Sequence, residues 1–226
     1  MAAADELAVR LSRLDACAVS DALDKLKLAG CVSGLAPLTS TRKIAGRVHT
    51  VKLAAKEKAR PRAGAPLHLG CTAIQASSPG EVIVIEQRSG IDCGSWGGIL
   101  SVGARMRGVA GVIADGPVRD LDEARALDFP VFARSATART ARERIVEEAT
   151  DVPVAIGEVT VHPGDYVIAD GSAVVFIPAA ELERVIEAAE LIARREAAMS
   201  QALREGKPIA EVMGADYEHM LKKGIE

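Results

Sequence analysis

Aromatic residues are scarce, only 3% of a chain whose apolar fraction is 49%. A core built on stacked rings is therefore excluded, and Val, Ile, Leu and Ala must supply the packing, a composition that suits helices laid on sheets. Neither sign of charge dominates. The formal net charge is −3, with Lys and Arg dispersed among Asp and Glu. That leaves no basic patch of the kind phosphate backbones require, so nucleic acid is not an expected partner. Cys17, Cys31, Cys71 and Cys93 form no C-x-x-C pair and have no nearby His at zinc-ligand spacing. Free or buried thiols in a reducing cytosol are expected. The opening residues, Met1-Ala2-Ala3-Ala4-Asp5-Glu6, carry acid where a secretory leader carries basic residues and then a long apolar stretch. No leader is expected. Apolar runs such as Val82-Ile83-Val84-Ile85 are short, against the roughly 20 residues of a membrane helix. A cytoplasmic protein with no membrane contact is the expectation.

What is present has room for one sizeable core. At 226 residues, a single α/β domain over residues 1–226 is expected, with 179–226 as a helical C-terminal tail. Residues 5–15 and 19–28 have helical apolar spacing, and Ser20-Asp21 is placed to cap the second segment. Ile44 to Leu53 resembles a strand with a bulge or bend at Gly46, and 56–66 a loop. Two turns, Pro79-Gly80-Glu81 and Pro163-Gly164-Asp165, each feed an apolar run that has the character of a buried strand. Ile113-Ala114-Asp115-Gly116 recurs as Ile168-Ala169-Asp170-Gly171, a hint of two similar strand-to-turn units. Gly97 to Arg107 predicts a helix with Ile99, Val102, Met106 and Val109 on one face, followed by a strand at 111–114. A short helix over 121–127, a short strand over 130–133 and two more strands within 152–161 follow. From Ala179 to Arg204, Leu182, Val185, Ile186, Ala189, Ile192 and Ala193 trace an amphipathic helix, able to pack on its own domain or on a neighbour.

Two loops carry the chemistry. Ser95-Trp96-Gly97-Gly98-Ile99-Leu100 opens a helix with two glycines, so the backbone can approach a ligand while the first amides remain free for a carboxylate or phosphate. A tight turn is the alternative. Asp115-Gly116-Pro117-Val118-Arg119-Asp120 ends at a predicted strand's C-terminal edge, where ligands of α/β sheets gather. Arg119 offers a planar charged fork to a carboxylate or enolate, and Asp120 the hard oxygen that Mg²⁺ prefers. Asp120 with Glu123 also fits reciprocal N-terminal capping. The two readings differ in a visible way, because a capping Asp bonds the amide of residue 122 or 123, whereas a metal-binding one faces the pocket. His49, His68, His162 and His219 do not pair at metal spacing, although His68, close to Gly70 and Cys71, is the least easily dismissed. Lys52 and Lys56 suggest Schiff-base aldol chemistry, but nothing around them marks a desolvated amine.

Val19-Ser20-Asp21-Ala22-Leu23-Asp24, Gly94 to Leu100, Arg107 to Val112, Asp115 to Asp120, Phe129 to Ala133 and Pro163-Gly164-Asp165 follow one another as in the RraA-like family, which this chain resembles over roughly residues 15–205. That family includes class II 4-hydroxy-4-methyl-2-oxoglutarate/4-carboxy-4-hydroxy-2-oxoadipate aldolases and proteins once labelled menaquinone methyltransferases. The resemblance implies an α/β sandwich of the swivelling-domain type with N-terminal helices and a long C-terminal helix, assembled as a homotrimer or homohexamer with sites between subunits. Members with aldolase and oxaloacetate decarboxylase activity carry Gly or Asp, twenty residues, Arg-Asp, two residues, then Glu or Asp. Gly98, Arg119, Asp120 and Glu123 match this pattern, with Gly where the best-studied bacterial aldolases have Asp.

Carried over, the resemblance implies that Asp120 binds Mg²⁺ or Mn²⁺ and that Glu123 orients the ion's waters. Arg119 would steady the enolate oxygen, while the Gly97-Gly98 loop, through the amides of Gly98, Ile99 and Leu100, would hold the pyruvyl carboxylate. Glu196 is the candidate for a further ligand from a neighbouring subunit. The expected substrate is a small 2-oxo-dicarboxylate. The family's founding member, a protein-binding inhibitor of an RNA-degrading endonuclease, sets the alternative. A methyltransferase is disfavoured, since no glycine-rich nucleotide loop follows a first strand.

Overall fold

The computed structural model describes residues 6–59 and 68–214. Helices α1 (Glu6–Ser12) and α2 (Ala16–Leu26) precede two short strands, β1 (Cys31–Val32) and β2 (Ala36–Pro37), and the long strand β3 (Ile44–Ala55). There follow α3 (Cys71–Ala76), β4 (Val82–Glu86), α4 (Gly98–Arg107), β5 (Gly111–Val118), α5 (Leu121–Ala126) and β6 (Val131–Ala136). Strand β7 (Ile145–Thr150), the hairpin β8 (Val154–Ile156) and β9 (Val159–Val161), and strands β10 (Tyr166–Ala169) and β11 (Val174–Ile177) lead to α6 (Leu182–Arg204) and α7 (Ile209–Val212). The main sheet runs β1-β11-β10-β3-β4-β5-β6-β2, with β7 beside the C-terminal half of β3. Strands β3 to β6 are mutually parallel, so their C-terminal ends share one edge.

At β4, β10 and β11 both faces of this sheet are buried, which is why these strands show apolar runs without polar alternation. Along β4, Val82 and Val84 enter a core with Ile113, Phe132, Val167 and Phe176. Ile83 and Ile85 enter the opposite one, with Trp96, Leu100, Ala104 and Val112. A third cluster joins α1, α2 and α6 to β10 and β11 through Leu11, Val19, Leu23, Ile168, Ile177, Val185 and Ile186. The expected amphipathic tail therefore packs, as α6, on its own domain, pinned by the paired bonds of Arg10 to Glu190 (3.0 Å each). The α/β architecture with a long C-terminal helix agrees with the sequence expectation.

Several local expectations are corrected. Helix α2 begins earlier than expected, and its cap is Asp15, whose carboxylate accepts from the Ala18 amide at 2.9 Å, leaving Ser20 and Asp21 inside the helix. The irregularity in β3 falls between Lys52 and Leu53, while Gly46 instead lets the strand lie against the Gly80 carbonyl. The two Ile-Ala-Asp-Gly segments are not equivalent. Asp115-Gly116 lies inside β5, where a Cβ on Gly116 would meet the Gln87 carbonyl at 2.7 Å, whereas Asp170-Gly171 forms the turn between β10 and β11. The Pro-Gly turns hold, with φ of 90° at Gly80 and 88° at Gly164, a region that glycine enters without strain. Of the expected apolar face of helix α4, Ile99 is 84%, Met106 85% and Val102 40% exposed, while Val109, beyond the helix end, is buried. The small residues Gly98, Ser101 and Ala104, with Leu100, face inward instead, because small side chains let the helix sit close to the sheet. Helix α3 and strands β7 and β11 were not anticipated.

Candidate active site

Backbone hydrogen bonds bring the two loops together. Beyond β4, the Gly94 amide bonds Arg139 O (2.9 Å), and the Ser95 amide and hydroxyl both reach Pro117 O (2.8 and 2.9 Å). The Arg119 amide in turn donates to Trp96 O at 2.9 Å. Residues 94–97 thus lie along the end of β5, and α4 starts beside Asp120. A cleft of about 1300 Å³ opens here, lined by Gly97, Gly98, Ile99, Leu100, Arg119 and Asp120 among others. Its position at the C-terminal edge of parallel strands is where an α/β sheet collects ligands.

Asp120 occupies the residue before α5 but does not cap it. Its backbone is left-handed (φ 56°, ψ 42°), and its side chain bonds no amide of its own helix. A capping residue needs extended backbone, which Asp120 lacks. Its carboxylate crosses instead to the start of α4, accepting from the Gly98 amide at 3.0 Å and from Arg119 Nε at 3.1 and 3.2 Å. Both side chains remain about one-third exposed, 35% for Arg119 and 30% for Asp120. The capping alternative is thereby excluded, and Asp120 lines the cleft.

The glycines are demanded by proximity. A Cβ on Gly94 would lie 2.7 Å from Arg119 Cγ, and one on Gly97 2.7 Å from Asp120 Oδ2. On Gly98 it would collide with the Glu123 carboxylate. Glu123 therefore leans across the start of α4, and it lines a smaller hollow of about 690 Å³ on the other side of Arg119 and Asp120. Since the Gly98 amide is given to Asp120, the amides of Ile99 and Leu100 are the ones that the first helical turn leaves for a ligand.

Among the described residues no three His, Cys, Asp or Glu side chains gather as a metal cage. Asp120 and Glu123 supply hard oxygens only, a donor set that fits Mg²⁺ or Mn²⁺, which keep several waters, and does not fit zinc. Glu196 lies on the exposed part of α6 and does not line its own chain's cleft. Burial first, then Asp15 and Asp21, hold its carboxyl above the usual range.

The remaining candidates separate cleanly. His68 lines the cleft, a residue left outside the expected site, while His49 is held between Asp151 and Glu81, 3.0 Å from each. His162 is on the surface, and His219 lies outside the described residues. Lys52 and Lys56 also line the cleft, but they are 39% and 49% exposed and face Glu148 and Glu143. Solvated, paired ammonium groups are poor Schiff-base nucleophiles. All four cysteines are free, and burial pushes the Cys71 and Cys93 thiols up, away from reactivity.

The site is thus a cleft at the parallel edge of an α/β protein, lined by a carboxylate, an arginine and the start of a helix with no side-chain cap. More specifically, the chain belongs to the RraA-like family, whose model, described as Aldolase/RraA, matches residues 16–176. It is 30% identical over 172 residues to a Halalkalibacterium halodurans protein provisionally named 4-hydroxy-4-methyl-2-oxoglutarate aldolase, covering 76% of each chain. It is 29% identical to protein DlpA of Legionella pneumophila over 85% of this chain, and spans 31% of that longer protein. A solved structure of an uncharacterized Pseudomonas syringae protein superposes with a TM-score of 0.82 at 26% identity, over 93% of this chain and 98% of the other. Streptomyces coelicolor RraAS2, described as an unusual member of the RNase ES inhibitor RraA family, gives 0.75 at 23% identity, over 91% and 98%, a likeness of fold. Among the described residues no helix is long and apolar enough to cross a membrane.

Proposed function

We propose that the chain is a divalent-metal-dependent carbon–carbon lyase that releases pyruvate from 4-hydroxy-4-methyl-2-oxoglutarate or 4-carboxy-4-hydroxy-2-oxoadipate, with oxaloacetate decarboxylation through the same enolate. The observation that carries it is the Asp120 carboxylate, turned away from its own helix and toward Gly98 and Arg119. A bound Mg²⁺ or Mn²⁺ would supply Lewis-acid polarisation of the 2-oxo group. The amides of Ile99 and Leu100 hold the substrate carboxylate. Arg119, whose Nε is bonded to Asp120, turns its terminal N–H groups to the oxygen that gains charge as the C3–C4 bond breaks. A carboxylate-held water in the cleft takes the 4-hydroxyl proton, C4 leaves as the carbonyl of a second 2-oxoacid, and the electron pair of the broken C3–C4 bond passes to the enolate, which is protonated at C3 to give pyruvate. Decarboxylation needs no such base.

The exposed stripe of Ile99, Val102 and Met106 beside this cleft supports assembly into a homotrimer or homohexamer, in which Glu196 of a neighbouring copy would complete the site. A second reading, a regulator that binds an RNA-degrading endonuclease, draws on that same stripe and on the likeness to RraAS2. Pyruvate release from the three 2-oxoacids, followed by lactate dehydrogenase coupling with Mg²⁺ and then with EDTA, tests the enzyme. Metal-dependent release is expected. No release from any of them, together with endonuclease binding, supports the regulator.

A further inference from the structure

The sole tryptophan of the chain is placed to join the two loops, and the lyase reading gives it no role. Trp96 is 2% exposed, and its carbonyl accepts the Arg119 amide at 2.9 Å. Its indole N–H donates to Ser101 Oγ at 3.0 Å, and that hydroxyl donates onward to the Gly97 carbonyl at 3.1 Å. Ser101, 1% exposed, thereby uses its one proton and accepts another. Residues 96–101 are closed into a ring around the first turn of α4, with the amides of Ile99 and Leu100 inside its span.

Beneath the ring lies a fixed shelf. Gly70 has a φ of 75°, and a Cβ there would stand 2.9 Å from the indole. Its amide donates to Glu147 Oε2 at 2.7 Å, while Glu147 Oε1 accepts from the Thr150 hydroxyl, also at 2.7 Å. Glu147 is 7% exposed, so strand β7 holds the shelf, the shelf seats the indole, and the indole sets the start of α4.

We propose that Ser101 and Trp96 are positioning residues that fix the angle at which the Ile99 and Leu100 amides meet a 2-oxoacid carboxylate and the place from which Arg119 reaches the 2-oxo oxygen. The role assigned to those amides rests on the lyase reading. The relay itself does not. Neither side chain bonds the Asp120 carboxylate, which accepts from the Gly98 amide and Arg119 Nε. Binding and rate from well-oriented donors are lost steeply when they shift, about 10²-fold for a misplacement of about 1 Å.

The test is a double-mutant cycle on the full chain with Mg²⁺, using Ser101→Ala, Trp96→Phe and the pair, with pyruvate as the calorimetric probe. Ser101→Ala is expected to weaken pyruvate binding about tenfold while Mn²⁺ affinity stays within about twofold. The double variant should lose no more than Ser101→Ala alone, because one relay is broken once. Hydrogen exchange at the Arg119 and Ser101 amides should quicken about tenfold in Ser101→Ala, with the α2 amides as an unchanged reference. Additive losses, or a fall in melting temperature with unaltered pyruvate affinity, overturn the proposal, as does unaltered exchange. If the wild type binds no pyruvate while exchange quickens as stated, the lyase reading fails and the relay stands. Ser101→Thr, which keeps the hydroxyl, should recover most of the exchange protection.

Discussion

Two aspartates stand at the start of helices in this fold, and they behave in opposite ways. Asp15, before α2, has extended backbone (φ −117°) and bonds the Ala18 amide. Asp120, before α5, is left-handed (φ 56°) and leaves its own helix uncapped. The first stabilises the helical layer over β10 and β11. The second gives up a capping interaction of about 1 kcal/mol and adopts a conformation that also costs about 1 kcal/mol, and what it gains is contact with another helix and an arginine at a cleft. Local strain of this kind collects at functional sites.

The two aspartates should respond differently to substitution. The largest expected effect is catalytic: Asp120→Ala or Arg119→Ala should each lower kcat/KM for pyruvate release by about 10²–10³-fold, whereas Asp15→Ala should leave it unchanged. Equal loss from both aspartates would erase the distinction. Next, Gly97→Ala places a methyl group 2.7 Å from Asp120 Oδ2 and should weaken Mn²⁺ binding about tenfold. Gly98→Ala meets mainly the flexible end of Glu123, with Asp120 Cβ farther off at 3.3 Å, so its effect should be smaller. The reverse order would mean that Glu123 is the principal ligand.

Stability should show the opposite pattern. Asp15→Ala is expected to cost about 1 kcal/mol in chemical denaturation. Asp120→Gly and Asp120→Ala both lose the carboxylate bonds to Gly98 and Arg119, so their difference isolates the backbone, and the Gly variant should be the more stable by about 1 kcal/mol. Equal stability of the two would show that the backbone of Asp120 is not strained. The smallest effect concerns charge. Burial and neighbouring Asp residues raise the carboxyls of both Asp21 and Glu196. A carboxyl raised on folding makes the native state hold more protons, so stability falls as pH rises through its titration. Glu196→Gln should therefore be more stable than wild type at pH 7 by about 0.5 kcal/mol, with the gap closing below about pH 4. A gap that persists at low pH would point to packing instead.

How much was legible follows the same division. The Pro-Gly turns, the strand–helix–strand alternation and the amphipathic α6 were legible because each rests on a local rule. Even in the helical layer the cap of α2 was misplaced, since Ser20 and Asp21 fit capping by composition while Asp15, five residues earlier than Ser20, has the required geometry. The outward stripe of α4 was unreadable from periodicity, because Gly98, Ser101 and Ala104 form a second face whose smallness suits close packing. At the site, the spacing from Gly98 to Arg119, Asp120 and Glu123 was visible, but its meaning was not. The carboxylate of Asp120 reaches a helix that starts 22 residues earlier in the chain, and no local pattern shows that contact. Trp96 and Ser101 were missed for a related reason: a buried indole and a serine on one helical turn look like ordinary core until Gly70 and Glu147 are seen beneath them.

Mn²⁺ binding by the full chain, read by electron paramagnetic resonance in parallel titrations of wild type, Asp15→Ala and Asp120→Ala, tests the central claim most directly. One ion per chain is predicted for wild type and for Asp15→Ala, with affinity reduced at least about tenfold in Asp120→Ala. Equal binding by Asp120→Ala and wild type would contradict the account.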